Sequence, residues 1–190
     1  MKSVTAILGS PRRESNTEIL LNEALRGAKD RGFSAKTFYL NEMNIKGCQA
    51  CYFCKENNTT ECAVTDDMNE IYKSIKESSA LVIATPVYFG GVTAQTKLFL
   101  DRMFPFIDLN VRTLLDERKK ASFIFTQNQP HPFLFRKAMD SFAEMFGYLG
   151  FDTADILTAC GLDKGYKPMV SENEEIINKA YDLGFNICND

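Results

Sequence analysis

Ala80-Leu81-Val82-Ile83-Ala84-Thr85 carries no charge, and its reading decides the fold. A strand with one wet face alternates apolar and polar residues. An unbroken apolar run of this length suits a strand buried on both faces of a parallel sheet. Pro86 and the Gly90-Gly91 pair follow it with turn chemistry. Working back toward the start, Asp67 to Ser78 reads as a helix, with Asp67 and Glu70 at capping-box spacing. Phe33 to Leu40 alternates Phe33, Ala35, Thr37 and Tyr39 and reads as a strand. Asn16 to Asp30 places Leu20, Ala24, Leu25 and Ala28 near helical spacing, and Ser3 to Leu8 is a further buried strand. Toward the end, Thr93 to Phe104 and Phe133 to Leu149 read as helices, Ala121 to Thr126 and Thr153 to Ala159 as strands. A last helix starts after Ser171, which pairs with Glu174 in another capping box, and runs to about Cys188.

Five strands alternating with five helices predict an α/β fold, a parallel sheet with helices on both faces. Right-handed crossovers prune the topologies. The doubly wound, flavodoxin-like order 2-1-3-4-5 uses every strand. Residues 1–190 then form a single domain, with a cysteine-rich excursion at about 41–64. Ligands of such sheets bind outside the carboxyl ends of the strands, where the strand order reverses. That selects the loops after the first, third and fourth strands.

Composition narrows the function classes. The 45% hydrophobic and 25% charged fractions are those of a globular chain able to bury a core. A net charge of −3 and a pI near 5.3 argue against nucleic acid, which calls for a basic stripe. Arg12-Arg13 and Lys119-Lys120 are only pairs. No run approaches the roughly 20 apolar residues of a membrane helix. The apolar run at Val4 to Leu8 is short for a signal peptide and ends in Gly9-Ser10-Pro11. The expected compartment is the cytoplasm, where thiols stay reduced. The six cysteines are therefore read as ligands or buried thiols.

The loop after the first strand reads Gly9-Ser10-Pro11-Arg12-Arg13-Glu14-Ser15-Asn16-Thr17. It is neither a dinucleotide fingerprint nor a P-loop. It is rich in hydroxyls and opens a helix, whose free N–H groups and positive dipole end suit a phosphate. Ser15 and Glu18 also make a capping box, but capping alone does not call for three hydroxyls and two arginines. The loop after the third strand, Pro86-Val87-Tyr88-Phe89-Gly90, offers backbone amides and two aromatics for a planar, partly polar ring. Its plainer reading is a Pro/Gly turn with Tyr88 and Phe89 in the core. Thr126, Gln127 and Asn128 follow the fourth strand and lie in reach of the ring edge. His131 reads as a loop residue between two prolines, and Cys160 as a buried thiol.

With these loops quoted, the chain resembles the NADPH-dependent FMN reductase family. The resemblance rests on Gly9 to Thr17, on Thr85 to Gly90, and on Thr93-Ala94-Gln95-Thr96-Lys97 with Asp101-Arg102. It covers roughly the first 105 residues well. It implies FMN as cofactor, with Ser10, Arg12, Ser15, Asn16 and Thr17 on its phosphate and Pro86, Val87, Tyr88, Phe89 and Gly90 facing its ring. It also implies NAD(P)H as electron donor and a homodimer or homotetramer. The helix after Thr93 would pack at the subunit boundary, and the wide apolar face after Phe133 offers more surface to bury or serves as core.

Cys48-Gln49-Ala50-Cys51-Tyr52-Phe53-Cys54, with Cys62 seven residues on, is similar to the compact motif of the iron–sulfur flavoprotein branch of that family. Its spacing lets Cys48, Cys51, Cys54 and Cys62 reach the corners of a [4Fe–4S] cube. Zinc and four unligated thiols are the other readings of the same run. The function expected is an FMN-dependent oxidoreductase that passes electrons through FMN, coupled to a cluster, with a small-molecule or protein redox partner. The alternatives are a non-enzymatic electron carrier, a plain flavin or quinone reductase, and a zinc-stiffened flavin protein. No catalytic acid or base is named, because the flavin carries the chemistry.

Overall fold

The computed structural model describes residues 2–162 and 169–188. Its strands are β1 (Ser3–Leu8), β2 (Ser34–Tyr39), β3 (Ala80–Tyr88), β4 (Gly91–Val92), β5 (Lys119–Thr126) and β6 (Phe151–Ala159). Its helices are α1 (Asn16–Asp30), α2 (Phe53–Glu56), α3 (Met68–Glu77), α4 (Ala94–Asp101), α5 (Arg136–Tyr148) and α6 (Glu174–Ile187). The sheet order is β2-β1-β3-β5-β6, and each neighbouring pair on that path is parallel.

The α/β expectation holds, but the strand count does not: there are six strands rather than five, five of them in order 2-1-3-5-6 where 2-1-3-4-5 was expected, and the sixth off that path. The extra strand is β4, which pairs antiparallel with the end of β3. It exists because β3 runs past Thr85. Pro86 is still in the parallel ladder, opposite Thr126, and only beyond it does the strand leave the sheet. Phe89 and Gly90 then turn the chain with φ of 50° and 79°. Two positive-φ residues give the twist that a two-residue hairpin requires.

Helix boundaries differ where caps were misread. Asn173, not Ser171, caps α6 and accepts from the Ile176 N–H at 3.1 Å. Asp67 makes no cap bond; its Oδ2 accepts from the Asn44 N–H at 2.6 Å. Pro105 sits in a 3-10 turn at Phe104–Phe106 after α4 has ended. The fifth helix begins at Arg136 rather than Phe133.

The sheet separates two cores. In β1, Val4, Ala6 and Leu8 face α1 and α6, while Ile7 faces the side covered by α3, α4 and α5. That alternation is the period of a pleated strand, with both faces buried. The second side is aromatic: Phe99, Phe123, Phe125, Phe142 and Phe146 pack there. Buried Met139, Phe142, Ala143 and Phe146 make one stripe of α5 a core stripe. Met145 and Tyr148 of the same helix stay exposed. Among the described residues no helix is long and apolar enough to cross a membrane.

Candidate functional site

The order reverses beside β1, and the loops leaving β1, β3 and β5 meet at the carboxyl-end rim. A buried network of threonines fastens them. Thr93 caps α4 by accepting from the Thr96 N–H at 3.2 Å, and its hydroxyl donates to the Gly9 carbonyl at 2.8 Å. Thr96 Oγ1 donates to Thr85 Oγ1 at 3.0 Å. The Gly9 N–H donates to the Ala84 carbonyl at 2.8 Å. A Cβ at Gly9 would stand 1.9 Å from Thr96 Oγ1, so only glycine fits over this cluster. Thr85, Thr93 and Thr96 were missed as site-building residues. Their signal was present, a threonine before a helix start and two more around it, but their contacts lie across three elements.

The expected phosphate residues divide into two groups. Ser10, Ser15 and Thr17 are buried in the loop after β1. The Ser10 hydroxyl accepts from the Arg12 N–H at 3.2 Å, which rounds the loop. Ser15 is the N-cap of α1 and accepts from the Glu18 N–H at 3.2 Å. The first-turn N–H groups of Asn16 and Thr17 have no partner within the helix by its geometry. Thr17 Oγ1 meets Thr126 Oγ1 at 2.7 Å, joining two expected site residues 109 positions apart. Arg12 is exposed, and its guanidinium makes no ion pair among the described residues. Arg13 is committed instead: it pairs with Glu42 at 2.5 Å and lies over the Tyr39 ring.

Asn16 departs from expectation. Its side-chain oxygen accepts from the Met169 and Val170 N–H groups at 2.8 and 2.9 Å, and its amide nitrogen donates to the Leu162 carbonyl at 3.0 Å. Both ends of the side chain tie α1 to the chain beyond β6. Only its backbone N–H is left for a phosphate.

The ring loop is also different from a plain turn. Pro86 is buried and Val87 half-buried, while Tyr88 is exposed and Phe89 is fully so, at 114%. The core reading of Tyr88 and Phe89 is therefore overturned. Phe135 lies beside the hairpin: a Cβ at Gly90 would stand 3.5 Å from its ring. Gln127 is buried, and its Nε2 donates to the His131 carbonyl at 2.9 Å and the Gln129 carbonyl at 3.2 Å. Its Oε1 has no partner among the described residues. His131 itself stacks on Phe133 at the surface. The Cys160 thiol receives a weak bond from Gln127, and burial pushes its pKa up.

Cys48, Cys51, Cys54 and Cys62 line one small, almost wholly apolar pocket, together with Arg102 and Phe104. Ala50 and Tyr52 hold φ of 49° and 57°, and these reversals turn the chain around it. Cys48 and Cys51 are exposed, Cys54 is buried, and burial pushes the Cys54 thiol up against the opposing charge of Lys55. Lys55 donates to the Phe104 and Ile107 carbonyls and so anchors α2 to the turn after α4. The thiols share the pocket without closing on one point. Among the described residues no group of three or more His, Cys, Asp or Glu is arranged to hold a metal ion. A four-thiol donor set at an apolar pocket does fit the chemistry of an iron–sulfur cluster. Cys48 also borders an open apolar groove of about 1070 Å³, lined by Tyr52, Leu100, Phe104, Met145 and Tyr148.

Comparison with known proteins bears on the same residues. The family description for NADPH-dependent FMN reductase matches residues 2–124, which include every loop just described through β3 and most of β5. The chain belongs to the NADPH-dependent FMN reductase family. As a family member it is 44% identical over 99 residues to an iron–sulfur flavoprotein of Archaeoglobus fulgidus, covering 52% of this chain and 49% of that one. An iron–sulfur flavoprotein of Methanocaldococcus jannaschii is 40% identical over 102 residues, covering 54% and 52%. The match thus spans about half the length of these curated relatives. Among solved structures, an NAD(P)H:quinone oxidoreductase from Methanothermobacter marburgensis superposes with a TM-score of 0.82 at 18% identity, over 100% of this chain and 98% of that one. An FMN-dependent NADH-azoreductase from Bacillus anthracis, in complex with FMN, gives 0.75 at 14%, over 99% and 100%. At such identities the superpositions speak for the fold of this FMN reductase family member.

Proposed function

We propose that this chain is an FMN-dependent oxidoreductase whose cofactor lies along the rim of β1, β3 and β5. The observation that carries the reading is the fastening of the three rim loops to one another, by Thr17 with Thr126 at 2.7 Å and by Thr93 with the Gly9 carbonyl at 2.8 Å. Ser10, Ser15, Thr17, the N–H groups at the start of α1 and the Arg12 guanidinium hold the phosphate. Helix N-termini with hydroxyls and a free guanidinium suit a dianion. Pro86 to Gly90 supply backbone to the ring. Tyr88 and Phe89 flank it, and Thr126 and Gln127 meet its edge. When bound, FMN exchanges one or two electrons and a [4Fe–4S] cluster one; the chain supplies position, water exclusion and field. Cys48, Cys51, Cys54 and Cys62 are the residues that hold the cluster.

The family and its relatives support NAD(P)H as donor and a small-molecule or protein acceptor. Residues 1–190 act as one flavin-binding domain in the reducing cytoplasm. The apolar groove beside α4 and α5 supports a homodimer or homotetramer. Light scattering that returns a stable 21.5 kDa monomer at micromolar concentration removes that assembly. The test of the central reading is anaerobic purification with flavin analysis and NAD(P)H oxidation against a quinone. FMN bound at one per chain, and lost in Arg12→Ala with Thr17→Ala, is the expected result. Undiminished flavin affinity in that double variant removes the placement.

A further inference from the structure

The cysteine excursion is closed by one side chain that no loop motif contains. Arg102 caps α4, its side chain is fully buried, and it turns inward while its neighbour Asp101 borders the groove. Nη1 donates to the Lys46 carbonyl at 2.8 Å and to Asp66 Oδ2 at 2.6 Å. Nη2 donates to the Val64 carbonyl at 3.2 Å and to Asp66 Oδ1 at 3.1 Å. Asp66 in turn accepts from the Lys46 and Met68 N–H groups at 2.9 and 3.1 Å. One guanidinium thus joins residue 46 to residue 64, on either side of the four cysteines.

Four of its five N–H groups are spent in this way. The fifth, Nε–H, is buried and makes no hydrogen bond among the described residues; the Tyr72 hydroxyl beside the guanidinium gives its own proton to the Arg102 carbonyl at 2.5 Å. A guanidinium cannot shed its proton or accept a bond. Burying such a donor unmet forfeits its hydration with nothing in return, so a partner is called for. Arg102 lines the pocket of the four cysteines; Gln49, Tyr52 and Asp101 also line it but are exposed, and the side-chain acceptors there that are shielded from water are the buried Cys54 and half-buried Cys62.

We infer that Arg102 is a positioning residue for a metal–sulfur cluster in this pocket: its two Nη groups hold the ends of the cysteine excursion together and its Nε–H donates to a cluster or cysteinyl sulfur. The inference rests on the cluster reading above. A lysine cannot replace this arrangement, because a point charge on a flexible stem lacks the rigid fork that spans two carbonyls and a carboxylate while aiming one donor elsewhere. An N–H···S bond strengthens as the cluster gains negative charge, so it favours the reduced state and raises the potential.

The experiment uses the full chain, reconstituted anaerobically with iron and sulfide, as wild type labelled with 15N-arginine and as Arg102→Lys. Electron spin-echo spectra of the reduced cluster should show a coupling to 15N in labelled wild type that is absent in Arg102→Lys. The midpoint potential of Arg102→Lys should fall by a tenfold shift in the oxidised-to-reduced ratio, ~59 mV for one electron. FMN should remain bound to both. If wild type takes up no iron, the cluster reading fails and the inference fails with it. If wild type loads iron but shows no 15N coupling, or Arg102→Lys keeps the wild-type potential, the inference alone is overturned. Should Arg102→Lys not fold, the labelled wild type decides by itself.

Discussion

The rim of the sheet and the cysteine excursion are built on opposite plans. At the rim, short hydroxyl side chains and backbone groups are locked at the ends of strands, and each bond spans a few ångströms of rigid scaffold. In the excursion, residues 46–64 carry only the single turn α2, and a buried ion pair with the anchor at Lys55 holds the whole loop. The rim spreads its stability over many small contacts, whereas the excursion concentrates it in one. Damage should therefore be graded at the rim and abrupt in the excursion.

The sharpest break is expected at Asp66. Asp66→Asn leaves the buried Arg102 charge unpaired, and removal of one partner of such a pair costs about 3–5 kcal/mol. Urea denaturation should show that loss. Burial by itself would raise the Asp66 carboxyl, but its bonds from Arg102 and from the Lys46 and Met68 N–H groups outweigh burial and hold it below its ordinary value. A lowered folded pKa gives stability that is complete above the unfolded value, roughly pH 4, and lost as pH falls through the folded one. The acid limb of the wild-type stability curve should be shallower in Asp66→Asn. Equal midpoints for the two proteins at neutral pH would remove the contrast between the regions.

At the rim the largest single effect should come from Gly9→Ala. The new methyl collides with Thr96 Oγ1, and overpacking of this kind costs about 1–3 kcal/mol. Threonine 96 is the part that must move, so Gly9→Ala with Thr96→Ser should recover little and with Thr96→Ala most of the lost stability. Full tolerance of Gly9→Ala alone would show that the threonine cluster is soft.

These two regions were not equally legible. β1, α1 and β3 could be read because buried strands and capped helices write their period into contiguous residues. The hydroxyl-rich loop after β1 was legible in the same stretch. The hairpin at β4 escaped because Phe89 takes a conformation usually left to glycine or asparagine, so the turn carried no standard signature. The ties of the Asn16 side chain were not legible, because its partners, Leu162, Met169 and Val170, are about 150 residues away. In the excursion the four cysteines were visible by spacing. Arg102 was visible only as part of the Asp101-Arg102 pair, and its ion pair with Asp66 was not, since nothing local marks a contact across 36 positions.

Flavin affinity sharpens the same division within the phosphate loop. Arg12→Ala and Ser10→Ala each remove one donor to a dianion, worth about 1.5–3 kcal/mol for a charged bond. Equilibrium titration should show Kd rising roughly tenfold to a hundredfold for each. Asn16→Ala should behave in the opposite way, lowering thermal stability through the lost ties to Leu162, Met169 and Val170 while Kd changes less than threefold. A larger loss of affinity in Asn16→Ala than in Arg12→Ala would reverse the assignment of the two residues.

The smallest effect on stability, and the most diagnostic, should come at Phe89. Its side chain is fully exposed and its φ is 50°, so the fold gains no burial from the ring and bears the strain of a left-handed bulky residue. Such strain costs of order 1–3 kcal/mol and persists where function requires it. Phe89→Gly removes both strain and ring, so chemical denaturation should find it as stable as wild type or up to about 1 kcal/mol more so. Phe89→Ala removes the ring and keeps the strain, and its stability should stay within about 0.5 kcal/mol of wild type. If the ring covers the flavin, both variants weaken FMN binding alike, whatever their stabilities. A Phe89→Gly protein that is less stable by more than 1 kcal/mol would mean the ring already packs on something in the folded chain. Unchanged flavin affinity in both would assign Phe89 to a partner surface rather than to the cofactor.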